Sequence, residues 1–220
     1  MTPDPQGLRR MLIDIDRELR YTRDQIGQDA FSERVLTALA AVPRHHFVPG
    51  ELQAAAYDNG PLPIGHGQTI SQPYIVALMT DLLRTTPDDV ILEVGTGSGY
   101  QTAVLARLVR RVYSLEVIAA LAAAASTRLQ RLGCHNVEVR HGDGYAGWPE
   151  HAPYDGIIVT AAAPYIPAAL IAQLKPAARL VIPVGEPGNV QQLLVVEKDA
   201  AGAVREWPVL PVAFVPLVQM

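Results

Sequence analysis

Cysteine is almost absent from this chain of 220 residues, where Cys134 stands alone. No intramolecular disulfide and no thiolate zinc cage can be built from one thiol. A reducing setting, the cytoplasm, is therefore expected. Basic residues are also short: 18 Lys and Arg stand against 22 Asp and Glu, for a formal charge of −4. That sign is wrong for a protein whose main task is to grip a phosphate backbone, so no nucleic-acid partner is expected. Long apolar runs are missing too. The longest, Val117 to Ala125, is about half of the ~20 residues that cross a bilayer. Met1 to Arg20 scatters Asp4, Arg9, Arg10, Asp14 and Asp16 among its apolar positions and shows no export-type core. A soluble protein with no membrane partner is expected, acting as a monomer. Six histidines are present, yet none forms an i, i+4 pair, and His45 and His46 would point opposite ways on an extended chain. No metal site is expected.

What remains is ample for a core, with 49% hydrophobic and 18% charged residues, and the length suits one domain spanning 1–220. Leu8, Met11, Leu12, Ile15, Leu19 and Ile26 recur at helical spacing, and Phe31, Val35, Leu36, Leu39 and Val42 do so again before Pro43. Residues 1–50 thus read as N-terminal helices packing on the rest. Asp58 to Pro73, DNGPLPIGHGQTISQP, has too much glycine and proline for a regular element and reads as a shaped loop. Helical spacing resumes at Tyr74, Ile75, Leu78, Leu82 and Leu83, with Pro73 in the first turn.

From Asp89 the pattern alternates. Short β-branched runs at Val90–Leu92, Val112–Leu115, Val137–Val139, Gly156–Val159 and Leu180–Ile182 are separated by helical stretches at 101–108, 118–132 and 168–174. This is the signature of a mostly parallel, doubly wound α/β sheet, with residues 88–185 as its ligand-binding core. After Gly188 the runs 192–196 and 204–208 read as an antiparallel hairpin, and a last strand is expected at 212–217.

The most informative window is VILEVGTGSGYQTAVLA at 90–106, where a strand delivers Glu93 and then Gly95, Gly97 and Gly99 precede a helix. Missing side chains let backbone approach a ligand. The spacing is one residue short of the dinucleotide fingerprint G-x-G-x-x-G. A carboxylate at Glu93 would repel a pyrophosphate and suit a ligand bearing an amino group, such as S-adenosylmethionine. Glu116 follows Gly95 by 21 residues, where a carboxylate can accept both ribose hydroxyls. Asp143 and Gly144, after the third strand of this series, fall on the same sheet edge, and Asp143 could accept from an adenine amino group. A tight turn with no ligand is the bland alternative. Nucleobase amino methyltransferases typically carry an Asp or Asn, two prolines and an aromatic after the fourth strand. Thr160-Ala161-Ala162-Ala163-Pro164 stands there instead, so the acceptor is not expected to be a base amine.

At this point the residues resemble a family, the bacterial protein-L-isoaspartate O-methyltransferases. The resemblance is carried by VPRHHFVP at 42–49, YDNGPLPIGHGQTISQPYIVALMT at 57–80, LEVGTGSGYQTAVLA at 92–106, HGDGYAGW at 141–148, YDGIIVTAAAP at 154–164 and FVPL at 214–217. GQTISQPY and IIVTAAAP are specific to it. It departs at Ala213, where bacterial relatives usually carry Arg. The resemblance implies a Rossmann-like class I S-adenosylmethionine-dependent fold, with Glu93, Gly95, Thr96, Gly97, Gly99, Glu116, Asp143 and Gly144 around the cofactor and Thr69 and Ile70 beside it. It implies methylation of the free carboxylate of L-isoaspartyl residues in damaged proteins and peptides, with the catalytic serine at Ser71. That carboxylate has a pKa of about 3.5 and is already ionised at neutral pH, so no general base is required. Ser71 also has a plain reading as a helix cap ahead of Pro73. Two rivals stand beside repair: a methyltransferase for a small-molecule carboxylate or hydroxyl, and a non-catalytic cofactor-binding module docking a partner through its N-terminal helices.

Overall fold

Asp4 opens the first helix by accepting from the backbone N–H groups of Gln6 and Gly7, with Pro5 in the first turn. The computed structural model describes residues 4–186 and 188–220; Met1, Thr2 and Pro3 of the N-terminal segment lie outside these. Helix α1 (Pro5–Ile26) buries Met11, Ile15 and Leu19 and ends at Gly27 in the left-handed region. Ser32 caps α2 (Glu33–Ala41). His45 and His46 then fall on a 3-10 turn, Arg44–Phe47, with ring centroids 4.3 Å apart, so the extended conformation that would have separated them does not occur.

Strand β1 (Leu62–Gly65) pairs antiparallel with β2 (Gln68–Ile70), turning through His66 at φ 54. This corrects the shaped-loop reading of 58–73. Gly65 and Gly67 sit at the turn and Pro63 on a two-stranded ribbon with free edges, where proline is tolerated. Helix α3 (Pro73–Leu82) follows, and α1 and α2 pack against it.

The main sheet has seven strands: β3 (Val90–Val94), β4 (Arg111–Glu116), β5 (Val137–His141), β6 (Tyr154–Val159), β7 (Leu174–Val184), β8 (Gln191–Lys198) and β9 (Val204–Val212), in the order β5-β4-β3-β6-β7-β8-β9. Pairs from β5 through β7 are parallel, while β7–β8 and β8–β9 are antiparallel. Helices α4 (Tyr100–Ala106), α5 (Ala119–Arg131) and α6 (Ala168–Ala172) make the connections. Both faces are covered, which is why the central strands read as continuous apolar runs. Ile91, Val112, Ile158 and Val181 pack with α1 to α5, whereas Leu92, Val94, Leu115, Ile157 and Leu180 pack on the other face with Trp148 and Leu170. The expected strand at 212–217 is not a separate element. After Val212 the chain leaves β8 and lies beside the loop that follows β6, with Ala162 N–H donating to Val215 O and Leu217 N–H to Ala162 O.

Successive strands from β3 run one way to β5 and then resume at β6 on the opposite side of β3. The order therefore reverses between β3 and β6, and open α/β sheets bind ligands outside the strand carboxyl ends at such a point.

Candidate active site

The turn after β3 is fixed from both sides. Gly95 N–H and Thr96 N–H donate to Leu115 O of β4 at 2.8 and 3.1 Å, and the Thr160 hydroxyl after β6 donates to Gly95 O at 2.5 Å. Gly95 adopts φ +97, and a Cβ there would overlap that hydroxyl. Gly97 adopts φ +51, and a Cβ would project into space bounded only by Ile64 Cδ1 at 3.5 Å. These two glycines leave an open cradle at the switch point.

The carboxylate of Glu116 ends β4 at the cradle's rim. Its Oε2 accepts from Gly97 N–H at 2.7 Å and its Oε1 from Ile118 N–H at 2.9 Å. Each oxygen keeps a lone pair for a ligand hydroxyl. Thr96 lines the cleft and shares a 2.6 Å hydrogen bond with Ser114 Oγ. Gly142 and Gly144 supply the third wall, Thr69, Ile70 and Ser71 the fourth, and Val215 to Leu217 close it. The space between these walls, counting the open solvent at its mouth, is about 760 Å³.

Three of the expected residues sit differently. Glu93 is fully buried and faces away from the cleft, its Oε2 accepting from Ser114 Oγ at 2.6 Å and from Thr102 Oγ1. Burial pushes its carboxyl up to about 8, so near neutral pH it is mostly protonated and cannot select ligands by charge. Gly99 does not line the cleft; at φ +85, a Cβ would lie 3.3 Å from Leu129 Cδ1, so its absence lets α4 approach α5. Asp143 turns its Oδ1 to the N–H of Tyr145 at 2.9 Å, and only its glycine neighbours line the wall.

The Glu93 placement carries a pH prediction. The unfolded chain releases this proton near 4.5 while the folded protein holds it to about 8, so its contribution to stability falls as pH rises through that window. Glu93→Gln should therefore gain melting temperature relative to the parent between about pH 5 and 8. Melting curves that keep a constant gap across this range would show that Glu93 is already ionised in the fold.

Ser71 is not the cap of α3. Gln72 holds that position, and the N–H of Tyr74 is satisfied instead by Asn59 Oδ1 at 3.1 Å. Among the described residues the Ser71 hydroxyl makes no hydrogen bond. It borders this first cleft and also a second one, formed by α1, α3 and the segment 210–215; Thr69, Ser71, Thr160 and Val215 are common to both. Among the described residues, Glu18 is the only charged one lining the second cleft, and Ala213, the departure from the bacterial pattern, stands on its wall. Thr160 and the tail at 215–218 went unassigned from sequence. Thr160 had the family-specific stretch IIVTAAAP around it and the absence of an amino-methyltransferase motif as signals, and the tail only its FVPL stretch.

The sequence profile of the protein-L-isoaspartate(D-aspartate) O-methyltransferases matches residues 21–220. The chain belongs to this family. It is 61% identical over 209 residues to protein-L-isoaspartate O-methyltransferase 2 of Nitrosococcus oceani, covering 95% of each chain. To the protein of the same name from Syntrophobacter fumaroxidans it is 59% identical over 216 residues, 97% of this chain and 87% of that one. Among solved structures, a putative family member from Plasmodium falciparum in complex with S-adenosyl-L-homocysteine superposes with a TM-score of 0.74 at 25% identity, over 93% of this chain and 97% of that one. Another protein-L-isoaspartate O-methyltransferase superposes with a TM-score of 0.78 at 27% identity; it is longer, and this chain covers 65% of it. Family membership and fold thus rest on nearly the whole chain. No described helix is long and apolar enough to cross a membrane.

Proposed function

We infer that the protein transfers a methyl group from S-adenosylmethionine to the free carboxylate of L-isoaspartyl residues in damaged proteins and peptides. One observation carries the reading: two clefts meet at a serine whose hydroxyl has no partner among the described residues. The first cleft fits the cofactor, because Gly95 and Gly97 leave a cradle that side chains would fill and Glu116 offers two acceptors at its rim. S-adenosylmethionine supplies there a methyl group on a sulfonium sulfur, open to attack by an oxygen anion. Thr96, Gly142, Gly144, Thr69 and Ile70 wall it in.

The second cleft takes the peptide. Its acceptor carboxylate is ionised at neutral pH, so the chain has no proton to remove and works by placement and exclusion of water. Ser71 donates its free hydroxyl to that carboxylate and aims one oxygen across the junction, while Thr160 and Val215 narrow the passage. Transfer leaves a methyl ester. The following amide nitrogen then expels methanol to close a succinimide, whose hydrolysis returns part of the chain to normal aspartate. We place this activity in the whole chain acting as a monomer in the cytoplasm, with Glu18, Tyr21, Thr22 and Gln25 of α1 forming one wall of the peptide cleft.

Repair gives a direct readout. Incubated with S-adenosylmethionine and the protein, an isoaspartyl peptide should pass through a base-labile ester and accumulate as the aspartyl isomer, followed by reversed-phase separation. A stable ester that never yields aspartyl peptide would point to a general carboxylate methyltransferase.

A further inference from the structure

Arg44 is a fully buried side chain that makes no ion pair among the described residues. Two of its three nitrogens donate to main-chain carbonyls: Nε to Ala56 O at 2.8 Å, and Nη2 to Ser71 O at 2.8 Å and Gly60 O at 3.5 Å, while Nη1 has no hydrogen-bond partner among the described residues. The guanidinium carbon lies 4.8 Å from the ring centroid of Tyr100, the first residue of α4 and part of the first cleft's wall. A buried cation without a carboxylate is costly unless other groups satisfy it. Here the planar fork ties three separate chain segments together beside the cofactor turn, which a point charge cannot do.

A second clamp holds the same stretch. Glu18 Oε2, on α1, accepts from Gln72 Nε2 at 2.8 Å and from Asn59 Nδ2 at 2.5 Å, and Asn59 Oδ1 in turn accepts from the Tyr74 N–H in the first turn of α3. Ser71 is thus gripped through its own carbonyl by Arg44 and through its neighbour by Glu18, while its hydroxyl is left free. Neither clamp makes a hydrogen bond to the Ser71 hydroxyl.

We propose that Arg44 and Glu18 are positioning residues for methyl transfer, holding the Ser71 main chain so that its hydroxyl stays at the junction of the two clefts. This rests on the acceptor-holding role of Ser71 inferred above. Misplacement of a reacting group by about 1 Å can cost on the order of 10²-fold in rate, so loosening either clamp should be read in kcat.

Arg44→Lys keeps the charge and most of the stem but loses the fork. It should lower kcat on an isoaspartyl peptide by roughly ten- to hundredfold while cofactor affinity changes little. Glu18→Ala, at a half-buried surface position, should lower kcat in the same direction and decides the matter if Arg44→Lys does not fold. The distinguishing measurement is a double-mutant cycle with Ser71→Ala. A residue acting through Ser71 loses most of its effect in that background, whereas a merely structural one keeps it. A loss of equal size with and without Ser71→Ala, or unchanged kcat in the folded variants, overturns the proposal. A parent protein that methylates no isoaspartyl peptide overturns the functional reading itself and this proposal with it.

Discussion

Ser71→Ala is expected to lower kcat/KM for an isoaspartyl peptide by roughly 10²-fold while leaving the melting temperature and cofactor affinity close to the parent's. The hydroxyl has no partner among the described residues and Gln72, not Ser71, stands at the start of α3, so its removal deprives the folded protein of no hydrogen bond. A cap would behave in the opposite way, costing about 0.5–2 kcal/mol of stability with turnover per folded molecule intact. Melting, cofactor titration and peptide kinetics on the same preparation separate the two. Unchanged kinetics on the folded fraction would remove Ser71 from the site.

Glu116→Ala should have an effect of comparable size on the other substrate. The carboxylate accepts from the N–H groups of Gly97 and Ile118, so it shapes the cradle, and in the proposed function it also offers acceptors to the cofactor's ribose. Losing hydrogen bonds to a charged partner costs about 1–3 kcal/mol, or roughly 5- to 150-fold in Kd for S-adenosylmethionine. Glu116→Gln keeps one acceptor oxygen and should fall between. Calorimetry giving the parent's affinity for Glu116→Ala would take Glu116 out of the cofactor site.

The alternating strands and helices from 89 to 184 are legible in the sequence because each central strand is buried on both faces and so shows as an unbroken apolar run. Site geometry is harder to read. Successive residues of β3 face opposite sides: Leu92 and Val94 point to the Trp148 face and Ile91 to the helices. Glu93 shares the side of Ile91. Strand alternation therefore turns Glu93 away from the cleft, a constraint that its position before a glycine turn conceals. Gly99 looks like the third member of a ligand loop but answers to Leu129 on α5, a contact across 30 residues that spacing does not reveal. The β1–β2 ribbon is hidden by its own glycines and prolines, since two short strands leave no periodicity to detect. The clamp at Arg44 is invisible for a different reason: its partners are carbonyl oxygens, which every residue carries.

The central claim is that the second cleft presents an isoaspartyl carboxylate to the cofactor and does not accept the ordinary aspartyl geometry. It is tested most directly with two peptides identical except for an Asp or an isoAsp linkage, each incubated with the protein and methyl-labelled S-adenosylmethionine. The isoaspartyl peptide should take up label and the aspartyl peptide should be turned over at least about 10²-fold less efficiently, the cost of displacing the reacting oxygen by about 1 Å. Equal labelling of both peptides would contradict the account.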